Sequence, residues 1–241
     1  MLTFMSVTIK NNPIRGGIEL ITTTTKNTID GITSFVINRK EYGQNKWMVV
    51  GKIDVSTVED LRRNMLDIST ISSKRYTYSI DIMNETTIVE SQTYDTVQFK
   101  FEGLFIGNDE KQFVAGSNFQ TDTERNTEVN YVTTLGSKYP YRVSNGMANY
   151  TTGSSSGLFL QVTDDGKKFK PDYDHSYSTE VLDFLTDGSS KILKTDDGQA
   201  WYVSIDDDTA SPFNEHFSGM NEVKFSWTEI GEIPEKSVVT I

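Results

Sequence analysis

From Tyr76 to Ile82 the chain alternates strictly: Tyr76, Tyr78, Ile80 and Ile82 take every second place, and Thr77, Ser79 and Asp81 lie between them. A period of two predicts a strand with one buried face. Upstream, the apolar runs 35–39 and 47–51 flank Glu41-Tyr42-Gly43-Gln44-Asn45, the pattern of a hairpin with a glycine-containing loop. Residues 17–25 and 86–90 add two more strands. Between them, Ser56 and Glu59 stand at capping-box spacing, and Val58, Leu61, Met65 and Ile68 recur at helical intervals. That spacing predicts a short amphipathic helix over 57–67.

The second half is richer in Gly, Thr, Ser and Tyr, and turn signals cut its apolar runs short. Strands are expected at 97–106, 112–115, 128–135, 141–144, 158–162, 191–194, 201–205 and 223–227. Asp164-Asp165-Gly166 and Asp196-Asp197-Gly198 each hold an Asp-Gly pair, which suits a two-residue hairpin turn. Tyr177, Val181, Leu182 and Leu185 predict a second short helix that stops at Gly188. Gly153-Ser154-Ser155-Ser156-Gly157 reads as a flexible connection. The fold class expected from this pattern is mainly β, with one or two short helices.

Composition narrows the functional classes. A hydrophobic share of 36% with 11% aromatic residues supplies packed β layers, which a disordered chain could not build. Over 241 residues such material fills two modest cores. A formal net charge of −11 repels a phosphate backbone, so nucleic acid is not an expected partner. Cysteine is absent, which excludes disulfides and thiolate metal sites. The opening residues lack the basic leader and apolar run of a signal peptide, and no segment approaches the ~20 apolar residues of a membrane span. Neither signal-led secretion nor a membrane anchor is expected.

Candidate chemistry is sparse. The two histidines, His175 and His216, lie in no metal or nucleophile motif. Asp164 with Asp165, Asp172 with Asp174, and Asp196 with Asp197 are close enough in sequence to be weighed as a glycosidase pair, but they sit in turn signals that favour Asp for its own backbone bonding. Asp206-Asp207-Asp208 lacks the spacing of a calcium loop. No phosphate-binding glycine motif occurs. No catalytic, cofactor-binding or metal residue is therefore assigned, and no enzyme activity or cofactor is expected. Tyr139, Tyr141, Tyr150, Tyr173, Tyr177, Trp201, Tyr202 and Trp227 would pack in a core or, if exposed together, stack on sugars or anchor an interface.

Residues 35–39 resemble the third strand of a fibronectin type III sandwich, and 76–82 resemble its sixth, with Tyr78 as the tyrosine-corner residue. Residues 1–98 are on this basis expected to form a fibronectin III-like β-sandwich, and 99–241 a second β-rich domain. Gly103-Leu104-Phe105-Ile106, the run from Tyr139 to Gly146, Phe184 to Gly188 with Lys191 to Lys194, and Phe225 to Gly231 are similar in character to a domain of bacteriophage tail structural proteins. The resemblance implies a virion component of the tail tip or baseplate, made in the host cytoplasm and assembled with other tail proteins, as a homo-oligomeric ring. The alternative is a module that recognises a host cell-wall glycan. A glycan-cleaving enzyme is a third reading, resting on the carboxylates alone.

Overall fold

A computed structural model describes residues 2–29, 31–162, 169–172, 175–206, 211–217 and 220–241. Its first strands are β1 (Ser6–Asn12), β2 (Gly17–Thr23), β3 (Ser34–Glu41), β4 (Met48–Asp54), β5 (Asn64–Asp67), β6 (Arg75–Asn84), β7 (Thr87–Thr93) and β8 (Val97–Gln98). There follow β9 (Leu104–Gly107), β10 (Gln112–Val132), β11 (Tyr141–Phe159), β12 (Gln161–Val162), β13 (Phe169–Lys170) and the helix α1 (Ser176–Leu185). The chain ends with β14 (Lys191–Thr195), β15 (Ala200–Ile205), β16 (Ser211–Phe217), β17 (Met220–Gly231) and β18 (Val238–Thr240). The mainly β class expected from the alternation is the one observed.

Two antiparallel sheets form the first body. One runs β1-β2-β5-β18, the other β4-β3-β6-β7 with β8 on the end of β6. The strands at 35–39 and 76–82 are third and sixth along the chain and pair directly, Ile37 opposite Ile80. Their inward residues Phe35, Ile37, Tyr78, Ile80 and Ile82 are fully buried against Ile18, Leu20 and Leu66 of the facing sheet. Alternation along β3 also turns Arg39 inward. There its guanidinium donates to the Asp67 carboxylate at 2.7 Å, so one ion pair joins the two sheets. Tyr78 and Ser237 donate to the same carboxylate, both at 2.9 Å, and Ser69 accepts from Arg39 at 2.7 Å. Burial, together with the adjacent Asp67 charge, pushes the Tyr78 phenol well above its ordinary range. Tyr78 thus donates to a carboxylate, whereas a tyrosine corner uses a backbone carbonyl. The sequence offers no sign of that, because Asp67 arrives from another strand.

The second body is a six-stranded antiparallel barrel. Its order is β11-β10-β9-β14-β15-β17, and β17 closes the ring by pairing with β11. Leu104, Ile106, Leu193, Val203, Phe225 and Trp227 fill the interior. Helix α1 packs Val181, Phe184 and Leu185 into the same core, with Phe184 5.1 Å from the Phe113 ring.

Strands β9 and β14 join the bodies. Each is buried along its whole length. Leu104, Ile106 and Leu193 face the barrel core, whereas Phe105 and Ile192 belong to the sandwich core. Lys194 lies on the sandwich side, where its ammonium donates to the carbonyls of Gly16 (2.5 Å), Ile68 (2.6 Å) and Thr70 (3.1 Å). It also sits 4.2 Å from the Phe105 ring centroid and 5.2 Å from that of Phe99. Complete burial pushes Lys194 down to about 7, with Asp67 pulling up and Arg39 adding to the fall.

Several expectations are corrected. The helix over 57–67 is a single 3-10 turn, Val58–Leu61, followed by strand β5. Asp60, not Glu59, caps the turn, accepting the backbone N–H groups of Ser56 (3.0 Å) and Thr57 (2.9 Å). Asn64–Asp67 is then taken up between β2 and β18, and sheet pairing outweighs helical spacing there. The strand at 97–106 is broken into β8 and β9 by the crossing between bodies. The Asp196-Asp197-Gly198 turn closes a three-residue loop, with Thr195 N–H bonded to the Gln199 carbonyl and Gly198 at φ 90°. The Asp164-Asp165-Gly166 turn lies outside the described residues. The boundary expected after residue 98 is crossed twice: Phe99 and Phe101 stay in the sandwich core, and β18 returns to complete the first sheet.

Two predictions follow from the buried charges. Asp67→Ala strands Arg39 without its partner and should lower the unfolding free energy by about 3–5 kcal/mol in urea titration. Lys194 holds its proton less tightly folded than unfolded, so between pH 7 and about 9.5 the unfolded chain carries more protons and stability rises with pH, by roughly 1 kcal/mol per unit. Lys194→Met should flatten that slope. Buried Tyr76, pushed up to about 12, opposes the trend only above about pH 10.

Candidate functional site

Strands β10 and β11 have 21 and 19 residues, far beyond the usual five or six. The barrel accounts for only part of them. Gln112 to Ala115 of β10 pair with β9, and Thr152 to Leu158 of β11 pair with β17. From the Asn126/Tyr150 pair to the Val132/Tyr141 pair, across a register shift between Thr127 and Val129, the two strands bond only to each other among the described residues. At about 3.3 Å per residue this two-stranded arm reaches roughly 25 Å from the barrel. The strands expected at 112–115, 128–135 and 141–144 and the start of that at 158–162 thus belong to two long strands, and Gln161–Val162 forms the separate β12. Their polar middle gave no core-facing alternation because neither face meets a core.

The arm's root is built from small residues. Gly153-Ser154-Ser155-Ser156-Gly157, expected as a flexible connection, is the part of β11 enclosed between β10 and β17. A Cβ on Gly153 would stand 2.6 Å from the Trp227 ring and 2.4 Å from the Asp122 carbonyl. Ser155 accepts the Trp227 indole N–H at 3.0 Å. Further out, Arg125 donates to Asn149 at 2.7 Å, and the Thr151 N–H donates to Glu229 at 2.7 Å.

The tip is apolar and exposed. Tyr131, Leu135, Tyr139 and Tyr141 are 67%, 109%, 70% and 62% exposed, and Val132 and Val143 lie among them. A two-stranded ribbon is at best marginally stable in water without packing, and open edges invite further strands. Clustered exposed apolar side chains of this kind mark an interaction surface for protein, membrane or ligand.

The remaining candidates are dispersed. Trp201 and Trp227 are barrel core, their ring centroids 4.9 Å apart. Tyr177 packs on Phe113, and Tyr202 is half-buried at the sandwich side. Tyr139, Tyr141 and Tyr150 are on the arm, and Tyr173 lies outside the described residues. Asp172 caps α1 by accepting the N–H groups of Tyr177 (3.0 Å) and Ser178 (2.8 Å). His175 is the residue before α1, in the left-handed region, and His216 lies in β16. Asp197 serves its own loop: partial burial pushes its carboxyl up, but hydrogen bonds from Thr195 and Gln199 hold it below its ordinary value. Asp206 follows β15 and accepts from Thr228 at 3.4 Å, and Asp174, Asp207 and Asp208 lie outside the described residues. Among the described residues no three His, Asp or Glu side chains are placed to hold a metal ion, and no helix is long and apolar enough to cross a membrane. Sequence reasoning missed Tyr131, Leu135 and Val143, whose apolar character in a polar stretch was the available signal.

No protein-family model matches the chain, and no curated protein does. Among solved structures it is similar to a chain of the virion of a native gene transfer agent particle, at 16% identity and a TM-score of 0.33, over 58% of this chain and 95% of that one. It is also similar to the titin kinase with its flanking domains, at 9% identity and a TM-score of 0.27, over 92% of this chain and 37% of that one.

Gly153→Val tests the root. It should destabilise the protein by about 1–3 kcal/mol in chemical denaturation and shift the Trp227 fluorescence, since backbone on one side and an indole on the other leave no room.

Proposed function

We propose that this chain is a structural component of a phage tail, at the tip or baseplate, working through protein–protein contacts in an oligomeric ring. The observation that carries the reading is the arm, a ribbon with open edges and an exposed aromatic tip, held by a rigid barrel root. Such an element serves little purpose in an isolated molecule and much in an assembly, where it can add to a neighbour's sheet or fill its groove. The barrel and sandwich act as the scaffold that aims it. Strand order in the sandwich, with residues 35–39 and 76–82 third and sixth, supports the fibronectin III-like reading of the first body. The role is binding rather than catalysis.

A second reading has support from the tip as well. Tyr131, Tyr139 and Tyr141, exposed together, could stack on the sugars of a host cell-wall glycan. Trp201, by contrast, is enclosed in the barrel and takes no part in that reading.

Replacing residues 127–149 by an Asn-Gly turn separates scaffold from arm. The shortened protein should keep its circular dichroism and melt within about 3 °C of the parent, because none of the residues in that span whose burial is described is buried. It should also fail to form the concentration-dependent oligomers expected of the full chain in sedimentation velocity, and fail to bind other tail proteins. A full chain that stays monomeric at high concentration and binds none of them would sink the assembly reading. Saturable, arm-dependent retention on a cell-wall glycan array would favour the second.

A further inference from the structure

The arm's distal part differs in charge from the rest of the molecule. Between Val129 and Ser144 it holds two cations, Lys138 and Arg142, and no carboxylate. The chain as a whole has a net charge of −11, so everything outside that segment is more acidic still. The tip is thus an aromatic and basic wedge on an acidic body.

The body holds a matching concavity. At the arm's root a groove of about 480 Å³ lies where β10, β11 and β17 meet, lined by Asp122, Glu124 and Asp206 and, among the described residues, by no lysine or arginine. Hydroxyls of Thr123, Thr152 and Ser154 line it too, and the buried Trp227 is its floor. The tip stands apart from its own groove: pairing of the two strands from Arg125 to Val132, with one register shift between Thr127 and Val129, carries it roughly 25 Å along the ribbon.

We infer that the tip of one copy docks in the root groove of a second copy, with Lys138 and Arg142 meeting Asp122, Glu124 and Asp206. The inference rests on the assembly reading above and specifies its contact. Both halves of the interface are present on one chain, and they are different patches. The contact is therefore heterologous and repeats from copy to copy, closing a ring when the rotation per copy allows. Complementary charge steers the encounter and fixes the register, while the exposed Tyr139 and Tyr141 supply the apolar area that is covered.

Sedimentation of the full chain with paired charge reversals tests this. Lys138→Glu with Arg142→Glu, and separately Asp122→Lys with Glu124→Lys, should each weaken self-association about tenfold or more while leaving circular dichroism unchanged. Mixing the two variants should restore association, because every tip then finds a groove of opposite sign. Raising salt from 0.05 to about 0.5 M should weaken the parent protein's association. If the parent associates through the arm yet ignores the reversals, or if mixing restores nothing, the tip-to-groove pairing is overturned and the assembly reading stands. If the parent does not associate at all, both are overturned.

Discussion

Strands β9 and β14 have no solvent face, and that constraint organises the molecule. Each supplies the barrel interior from one side and the sandwich core from the other. A strand in that position must be apolar at successive residues, which is why Leu104-Phe105-Ile106 and Ile192-Leu193 do not alternate. The one polar side chain on the sandwich side of β14, Lys194, meets carbonyls from β2's approach and β5's exit, so it bonds the barrel to both. No carboxylate accepts from it. The ammonium instead donates to three backbone carbonyls where the two bodies meet.

The Arg39–Asp67 pair does for the sandwich what Lys194 does for the junction. Buried ion pairs add little net stability relative to apolar packing, but once in place neither partner can be removed cheaply. Ser237, which precedes β18, donates to the same Asp67. The end of the chain is thereby keyed into the first body, and sandwich and barrel are linked by two crossings of the chain, after β8 and before β18, and by the shared wall of β9 and β14.

With the scaffold fixed at these points, the arm can be long without being loose at its base. Its root is clamped between strands by residues chosen for smallness, and Gly153 and Ser155 fit against Trp227 where any larger side chain would push the ribbon out of line. Beyond the root, among the described residues, the arm is held by the pairing of its two strands and by hydrogen bonds between them.

Where one face of a strand meets a core, alternation alone located it: β3, β6, β15 and β17 and the period of α1 could all be read from the residues. So could the mainly β class. Tertiary structure decided the rest. Leu61, Met65 and Ile68 are buried as expected, but in a turn and a strand, because the gap between β2 and β18 needed filling. Serine and glycine at 153–157 signify flexibility in isolation and close packing beside an indole. Whether Tyr141 is core or surface depends on where the barrel stops, and whether Lys194 is solvated depends on a sandwich that begins almost two hundred residues earlier. Local pattern reports which side of a strand is apolar; only the meeting of distant strands determines what that side faces.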